Sequence, residues 1–295
     1  MTATTQVAAP VPAKRPTHWL HRTFAAPQAW VGAALLGAVV GWALLGPLLA
    51  PLDPVTADPT AFGRPPGRVH WFGTNAAGQD LYAQTVLGLR TSLAVGFVAA
   101  PLATALGALV GSLAGYIGGW VDRVLLRCID LFVVLPSLFL LMLVAPRFGR
   151  SSWLAAALAI AAFGWMVIAR VVRSQTRSLR ERDFVRAAVY AGLPTSAVLR
   201  RHVLPHVSSL LVVDVTLGVG AAVLTEATLG WVGLGVTEPT VSLGTLLAAG
   251  SPAALTRPWL FFFPAGALVI TVLGTSLLGD AVRDALDPRS GAVRG

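Results

Sequence analysis

Residues 183–206, DFVRAAVYAGLPTSAVLRRHVLPH, lie between two long apolar segments and decide how the rest of the chain is interpreted. The first half carries small or apolar residues at helical spacing: Phe184, Ala187, Ala188 and Ala191. Gly192 suits the position after a helix end, where φ is positive. Pro205 is expected to end a second helix that begins near Ser196. The stretch predicts two short helices joined by a glycine turn, either a docking knob for a soluble partner or an amphipathic connector on the membrane surface.

The composition is that of an all-α integral membrane protein. The 295 residues are 55% hydrophobic and 12% charged, with a mean hydropathy of +0.72. The net charge of +9 does not indicate nucleic-acid binding, because the arginines cluster between apolar runs. Cys128 is the only cysteine, which excludes an intramolecular disulfide and a cysteine-based metal cluster. His202 and His206 are not expected to bind a metal, because Pro205 between them should interrupt the helix.

Six apolar segments are long enough to be transmembrane helices. The first, at residues 30–50, follows a disordered tail at 1–29 and precedes a proline-rich outer loop at 51–90. The other five belong to a core at 91–282 and are predicted at about 91–120, 124–145, 151–169, 207–224 and 258–279. A C-terminal tail follows at 283–295. The predicted outer loops hold six of the 22 Lys and Arg residues and leave 16 inside, so both termini and residues 183–206 are predicted to be cytoplasmic.

Three acidic residues lie within or at the ends of these segments: Asp130, Asp214 and Glu226. An acid inside a membrane is a candidate for a translocation path, and it can equally be structural. Asp130 is expected to pair with Arg127, one helical turn earlier. Glu226 either lines a path or bonds to the backbone where its helix breaks at glycines. The second segment carries glycines four residues apart, which should let helices approach closely: Gly107, Gly111 and Gly115.

Four motifs resemble, in order, the permeases of ABC importers of the dipeptide, oligopeptide and nickel group. Residues 70–81, HWFGTNAAGQDL, with 87–93, LGLRTSL, resemble the segment before the permease core. In it Asn75 and Gln79 replace the commoner Asp and Arg. Its purely structural interpretation has turns at Gly73 and Gly78 and a helix capped by Asp80. Residues 224–235, LTEATLGWVGLG, and 277–289, LLGDAVRDALDPR, match two further elements. The stretch quoted first resembles the EAA loop that docks on an ATPase subunit, with Arg186 where the family most often has Glu.

The resemblance implies a type I ABC importer permease fold with six transmembrane helices in a bacterial cytoplasmic membrane. It implies four kinds of contact: a second similar permease, two ATPase subunits, an extracytoplasmic solute-binding protein and lipid. No cofactor is implied. The coupling residues carried over from the motif are Arg186, Ala187, Ala188, Gly192, Leu204 and Pro205.

The sequence offers no candidate enzyme site. Its only lysine, Lys14, lies in a Pro-Ala-Lys-Arg-Pro tail, so no GxxxxGK[ST] loop exists, and HExxH, GxSxG and CxxC patterns are also absent. The main alternative is a proton-coupled secondary transporter that uses Asp130, Asp214 and Glu226 as a relay. A membrane scaffold without transport is a third alternative. Peptide is the solute that the resemblance favours, and nickel, other chelates and glutathione stay open.

Overall fold

The computed structural model describes residues 23–24, 26–50, 53–134, 137–144, 152–236 and 240–286, most of them helical. Within these ranges the only β pairing is an isolated bridge between Thr74 and Asp80. Most of the predicted N-terminal tail and residues 287–295 lie outside the described residues. The described part of the chain therefore has the predicted all-α character.

Ten α-helices follow one another in the described ranges. They are α1 Pro27–Leu49, α2 Leu81–Ile117, α3 Gly119–Val134, α4 Ser137–Val144, α5 Trp153–Arg180, α6 Asp183–Tyr190, α7 Thr195–Val198, α8 Leu204–Trp231, α9 Leu243–Gly250 and α10 Trp259–Leu286. A π-helical turn, Leu199–Val203, joins α7 to α8, and a 3₁₀ turn, Ser251–Ala253, follows α9.

Five helical segments are long and apolar enough to cross a membrane: α1, α2, α5, α10 and the continuous segment Thr195–Trp231. The predicted third span instead corresponds to α3 and α4, of 16 and 8 residues. Each is shorter than the roughly 20 residues that a membrane span needs. The sixth span therefore stays a prediction.

Helix α2 lies at the centre of the bundle and makes its largest interface with α5. The three glycines spaced four apart form the contact. A Cβ atom on Gly107, Gly111 or Gly115 would lie 2.3 to 2.5 Å from an atom of α5, in two of the three cases a backbone oxygen. The two backbones therefore touch, as the small residues predicted.

The segment before α2, predicted to be an outer loop, is held by side-chain hydrogen bonds. Asp80 caps α2 by accepting a hydrogen bond from the amide of Ala83 (2.8 Å), and its other carboxylate oxygen contacts His70 Nδ1 at 2.8 Å. The Asn75 amide donates to Gln79 Oε1 at 2.8 Å. A neutral amide pair thus occupies the two positions where the family more often has opposite charges.

A proline inside α1 leaves a carbonyl that α2 satisfies. Pro47 has no amide hydrogen, so the carbonyl of Ala43 cannot form its usual helical hydrogen bond. Arg90 of α2 donates through Nε to that oxygen and through Nη2 to the carbonyl of Leu44 at 3.0 Å. This contact joins the first helix to the core.

Candidate functional site

Helix α6, at the predicted cytoplasmic end, has one buried face and one exposed face. Val185 is fully buried and Ala188 is 8% exposed, and both pack with Val198 against the partly buried Tyr116. The opposite face consists of exposed residues at helical spacing: Asp183, Arg186, Ala187 and Tyr190. Tyr190 is 88% exposed. These four residues are called the docking face below.

The two alanines of the motif lie on different faces of α6. Ala187 lies on the exposed face, but Ala188 packs against the protein's own residues. Adjacent residues in a helix are about 100° apart, so the two alanines cannot both lie at the centre of one face. The small side chain at 188 serves the packing of α6 on the bundle.

The turn after α6 has the predicted glycine conformation. Gly192 has φ +80°, which favours glycine over other residues. The Gly192 amide donates a hydrogen bond to the carbonyl of Val189 (2.9 Å). The Leu193 amide donates one to the carbonyl of Ala188 (3.2 Å). These two bonds form a Schellman motif, which satisfies carbonyls that the helix end would otherwise leave free.

The second predicted helix does not end at Pro205. The chain stays helical from Thr195 to Trp231, and Pro205 lies in the first turn of α8. The preceding π turn explains this, because the Leu204 amide bonds to the carbonyl of Leu199, five residues back, and changes the register before the proline. Leu204 is half-buried and Pro205 is exposed.

Phe184 holds α6 against the start of α8. Its ring stacks on His206 with centroids 4.8 Å apart and lies 6.2 Å from the ring of His202. Because the helix continues through Pro205, the two histidines lie on one side of it, contrary to the interruption expected from the sequence. His206 Nδ1 contacts the carbonyl oxygen of His202 at 2.5 Å. A movement of α6 would therefore reach α8 directly.

An open cavity of about 520 Å³ lies beside the docking face. It is formed by the ends of α2 and α5 together with α6, and its lining residues are Tyr116, Arg177, Arg180, Glu181, Arg186, Val189 and Tyr190. The guanidinium of Arg180 lies over the ring of Tyr116, 5.9 Å from its centroid. Arg186 and Tyr190 belong both to the cavity and to the docking face.

Glu226 is fully buried in α8 and contacts α2. Its Oε2 accepts a hydrogen bond from the Ser92 hydroxyl at 2.7 Å, and Ser92 Oγ accepts one from the amide of Leu243 at 3.2 Å. Leu243 is the first residue of α9, whose N-cap is the buried Ser242. Glu226 Oε1 has no hydrogen-bond partner among the residues that the structure describes. The carboxylate lies within a continuous helix and bonds to a side chain of another helix, not to backbone at a break.

The other two acids have partners of their own. Asp214 is half-buried in α8, where its Oδ2 accepts from the hydroxyl of Thr104 on α2 at 2.6 Å. Asp130 forms an ion pair with Arg170 of α5 and not with Arg127. The distance from Arg170 Nη2 to Asp130 Oδ1 is 2.5 Å. The ion pair expected at this acid is present, but it joins two helices and does not lie within one.

Sequence reasoning missed a second ion pair at the predicted cytoplasmic end. Arg173 of α5 binds both carboxylate oxygens of Asp122 in α3, with Nη2 to Oδ2 at 2.5 Å. The two residues are 51 positions apart, and no local pattern connects them. Ser92, Thr104 and Arg170 escaped notice for the same reason.

Comparison with known proteins gave one family and many relatives. The family model described as "Binding-protein-dependent transport system inner membrane component" matches residues 107–291. An oligopeptide transport system permease protein OppC of Mycobacterium tuberculosis is 45% identical over 263 residues, 89% of this chain and 90% of the relative. A protein described as a peptide permease in Brucella suis is 40% identical, and the match covers 88% of this chain and 86% of the relative. The OppC protein of Bacillus subtilis is 36% identical, with 88% and 85% covered.

Proposed function

The chain belongs to the binding-protein-dependent transport system inner membrane components, and from this premise we propose that it is the permease subunit of an ABC importer for peptides or a related small solute. Membership makes it a multi-pass inner-membrane transport component and not an enzyme. The peptide cargo is taken from what its relatives are named for.

The observation that carries the proposal is the amphipathic helix α6. Its inner face is anchored by Val185 and Ala188, while its outer face presents Arg186, Ala187 and Tyr190 to solvent. Exposed Tyr and Arg around a small residue have the composition of a protein-binding surface. Our proposal assigns this face to an ATPase subunit.

The proposed assembly has two permeases, two ATPase subunits and one extracytoplasmic binding protein. ATP-driven movement of the ATPases would displace α6 and, through the stack of Phe184 on His206, the base of α8. Helix α8 would carry that displacement to Glu226 and its contact with Ser92 of α2. Two arrangements of the helices would then alternate around a path between the permeases.

The contacts of the three acids favour structural roles over a proton relay. Asp214 and Glu226 are twelve residues apart on α8, about 18 Å along its axis, which is too far for direct proton transfer. Asp130 forms its ion pair on different helices, α3 and α5. We assign the acids to interhelical contacts, and the proton-coupled alternative lacks a connected relay in the described residues.

Purification of the tagged chain from its own membranes in mild detergent tests the proposal. We expect an ATPase with a Walker motif and a second permease to co-purify, and the complex to hydrolyse ATP. Recovery of the chain alone, with uptake that stops when the proton gradient is collapsed at constant ATP, would reject the importer. Absence of any solute flux would favour a scaffold.

Two substitutions test, respectively, the docking face and the glycine turn that follows it. Ala187→Arg adds bulk and charge on the exposed face, and Gly192→Pro is incompatible with φ +80° and removes the amide that donates to Val189. Both are expected to abolish uptake while the chain still inserts in the membrane. Ser196→Arg, at an exposed position on the next turn, is the control that should retain uptake. Normal uptake by Ala187→Arg would contradict docking at this face.

A further inference from the structure

We propose that the cavity beside α6 is a receptor for acidic side chains of the ATPase subunit. The proposal rests on the proposed function and names the chemistry of that contact. Three of the lining side chains are cationic, Arg177, Arg180 and Arg186, and one is anionic, Glu181. The lining thus has a net charge of about +2 at neutral pH.

None of the three arginines forms a salt bridge in the part of the chain that the structure describes, although Arg177 lies within electrostatic range of Asp122. The salt bridges there join other residues, and Asp122, an acid on the neighbouring helix α3, is already held by both nitrogens of Arg173. Arg177, Arg180 and Arg186 are all exposed, so water solvates them in the isolated chain. They are cations available for a ligand.

A partner on the docking face would remove that water. Arg186 and Tyr190 belong to both surfaces, so a protein that covers α6 also covers one side of the cavity. Burial of an unpaired guanidinium is unfavourable unless an anion accompanies it. The partner must therefore supply about two carboxylates to match the net charge.

The side chains that line the cavity suit carboxylates on a protein surface. Guanidinium groups bind carboxylates in a planar, bidentate way, and Arg180 is already oriented by its contact with Tyr116. The exposed Tyr190 at the edge offers an aromatic surface of the kind that anchors protein contacts. The site would fix the position of the ATPase on α6. It would also connect the ATPase to the ends of α2 and α5.

The test measures how tightly the ATPase that co-purifies with the wild-type chain rebinds to permease in phosphatidylcholine nanodiscs. Arg186→Glu is expected to weaken rebinding at least about tenfold, because it turns an attraction into a repulsion. Arg177→Gln is expected to weaken it less, and salt should weaken the wild type more than either variant. Arg201→Glu, on an exposed arginine of the same loop outside the cavity, is the matched control and should change affinity less than threefold.

Three outcomes would overturn the inference or its premise. Equal affinities of Arg186→Glu and Arg201→Glu would reject the receptor while ATPase docking stands. A defect of Arg186→Glu that appears only when phosphatidylglycerol is added to the nanodiscs would assign the cavity to a lipid headgroup and reject the proposal. Absence of any ATPase from the wild-type preparation would reject the proposed function itself. Restoration of binding to Arg186→Glu by an acid-to-arginine change in the ATPase would identify the carboxylate.

Discussion

The contact between Arg90 and helix α1 predicts a strong energetic coupling between Arg90 and Pro47, which are 43 positions apart. Arg90 donates to the carbonyl of Ala43, which Pro47 leaves without its helical donor. Ala43 is only 2% exposed, so water cannot easily replace the arginine. A buried carbonyl without a partner costs about 1–3 kcal/mol.

Replacement of Arg90 by Leu is therefore expected to lower the free energy of unfolding by about 2 kcal/mol. The variant Pro47→Ala restores an amide at position 47 that can bond to Ala43, and in that background Arg90→Leu should cost less than about 0.5 kcal/mol. The coupling energy of the double-mutant cycle is then about 1.5 kcal/mol.

The free energy of unfolding would be measured for the wild type, the two single variants and the double variant. Each is purified in mixed micelles, titrated with a denaturing detergent and followed by circular dichroism. Arg68→Leu, at an exposed arginine of the outer segment, is the control and should change the free energy by less than about 0.5 kcal/mol. A coupling energy near zero, with Arg90→Leu equally costly in both backgrounds, would refute the argument that the arginine replaces the missing amide.

Three further predictions concern other contacts. Gly111→Val should lower the free energy of unfolding by about 1–3 kcal/mol in the same titration, because its Cβ would lie 2.4 Å from a backbone oxygen of α5; an unchanged value would mean that the two helices can separate at no cost. Glu226→Leu should lower the free energy of unfolding by about 1–3 kcal/mol, because it removes the acceptor of the Ser92 hydroxyl. Glu226→Gln keeps an acceptor oxygen and should lose much less. Equal losses for the two variants would indicate a purely steric effect. Hydrogen bonds from the Thr60 hydroxyl and amide hold the pKa of Asp58 below its ordinary value, so they stabilise the predicted outer segment above about pH 4 and are lost on acidification. Corrected for intrinsic exchange, hydrogen exchange at Thr60 should rise at low pH in the wild type and rise less in Asp58→Asn, and an equal rise in both would contradict this role.

Local sequence rules predicted the features that depend on neighbouring residues. The turn at Gly192 followed from the need for positive φ after a helix. The close approach of α2 and α5 followed from glycines at Gly107, Gly111 and Gly115, since four-residue spacing puts them on one face. The helix that begins after Asp80 followed from its capping side chain.

Features that depend on distant residues could not be predicted in this way. Asp130 had a plausible partner one turn away, but the arginine that binds it comes from α5, 40 residues later. The rule that proline ends a helix failed at Pro205 because a π turn shifts the hydrogen bonds before it. The inward position of Ala188 depends on what α6 packs against, which its own sequence does not state.

The unbroken helical segment Thr195–Trp231 limits where the chain can change in length. Each residue added to a helix rotates everything beyond it by about 100° and advances it by about 1.5 Å. One insertion after Thr195 would thus turn Glu226 away from Ser92 while leaving α6, Asp183–Tyr190, unchanged. Inserted residues should be tolerated better at 181–182, in the link between α5 and α6, than between Thr195 and Glu226, where the continuous helix transmits the rotation.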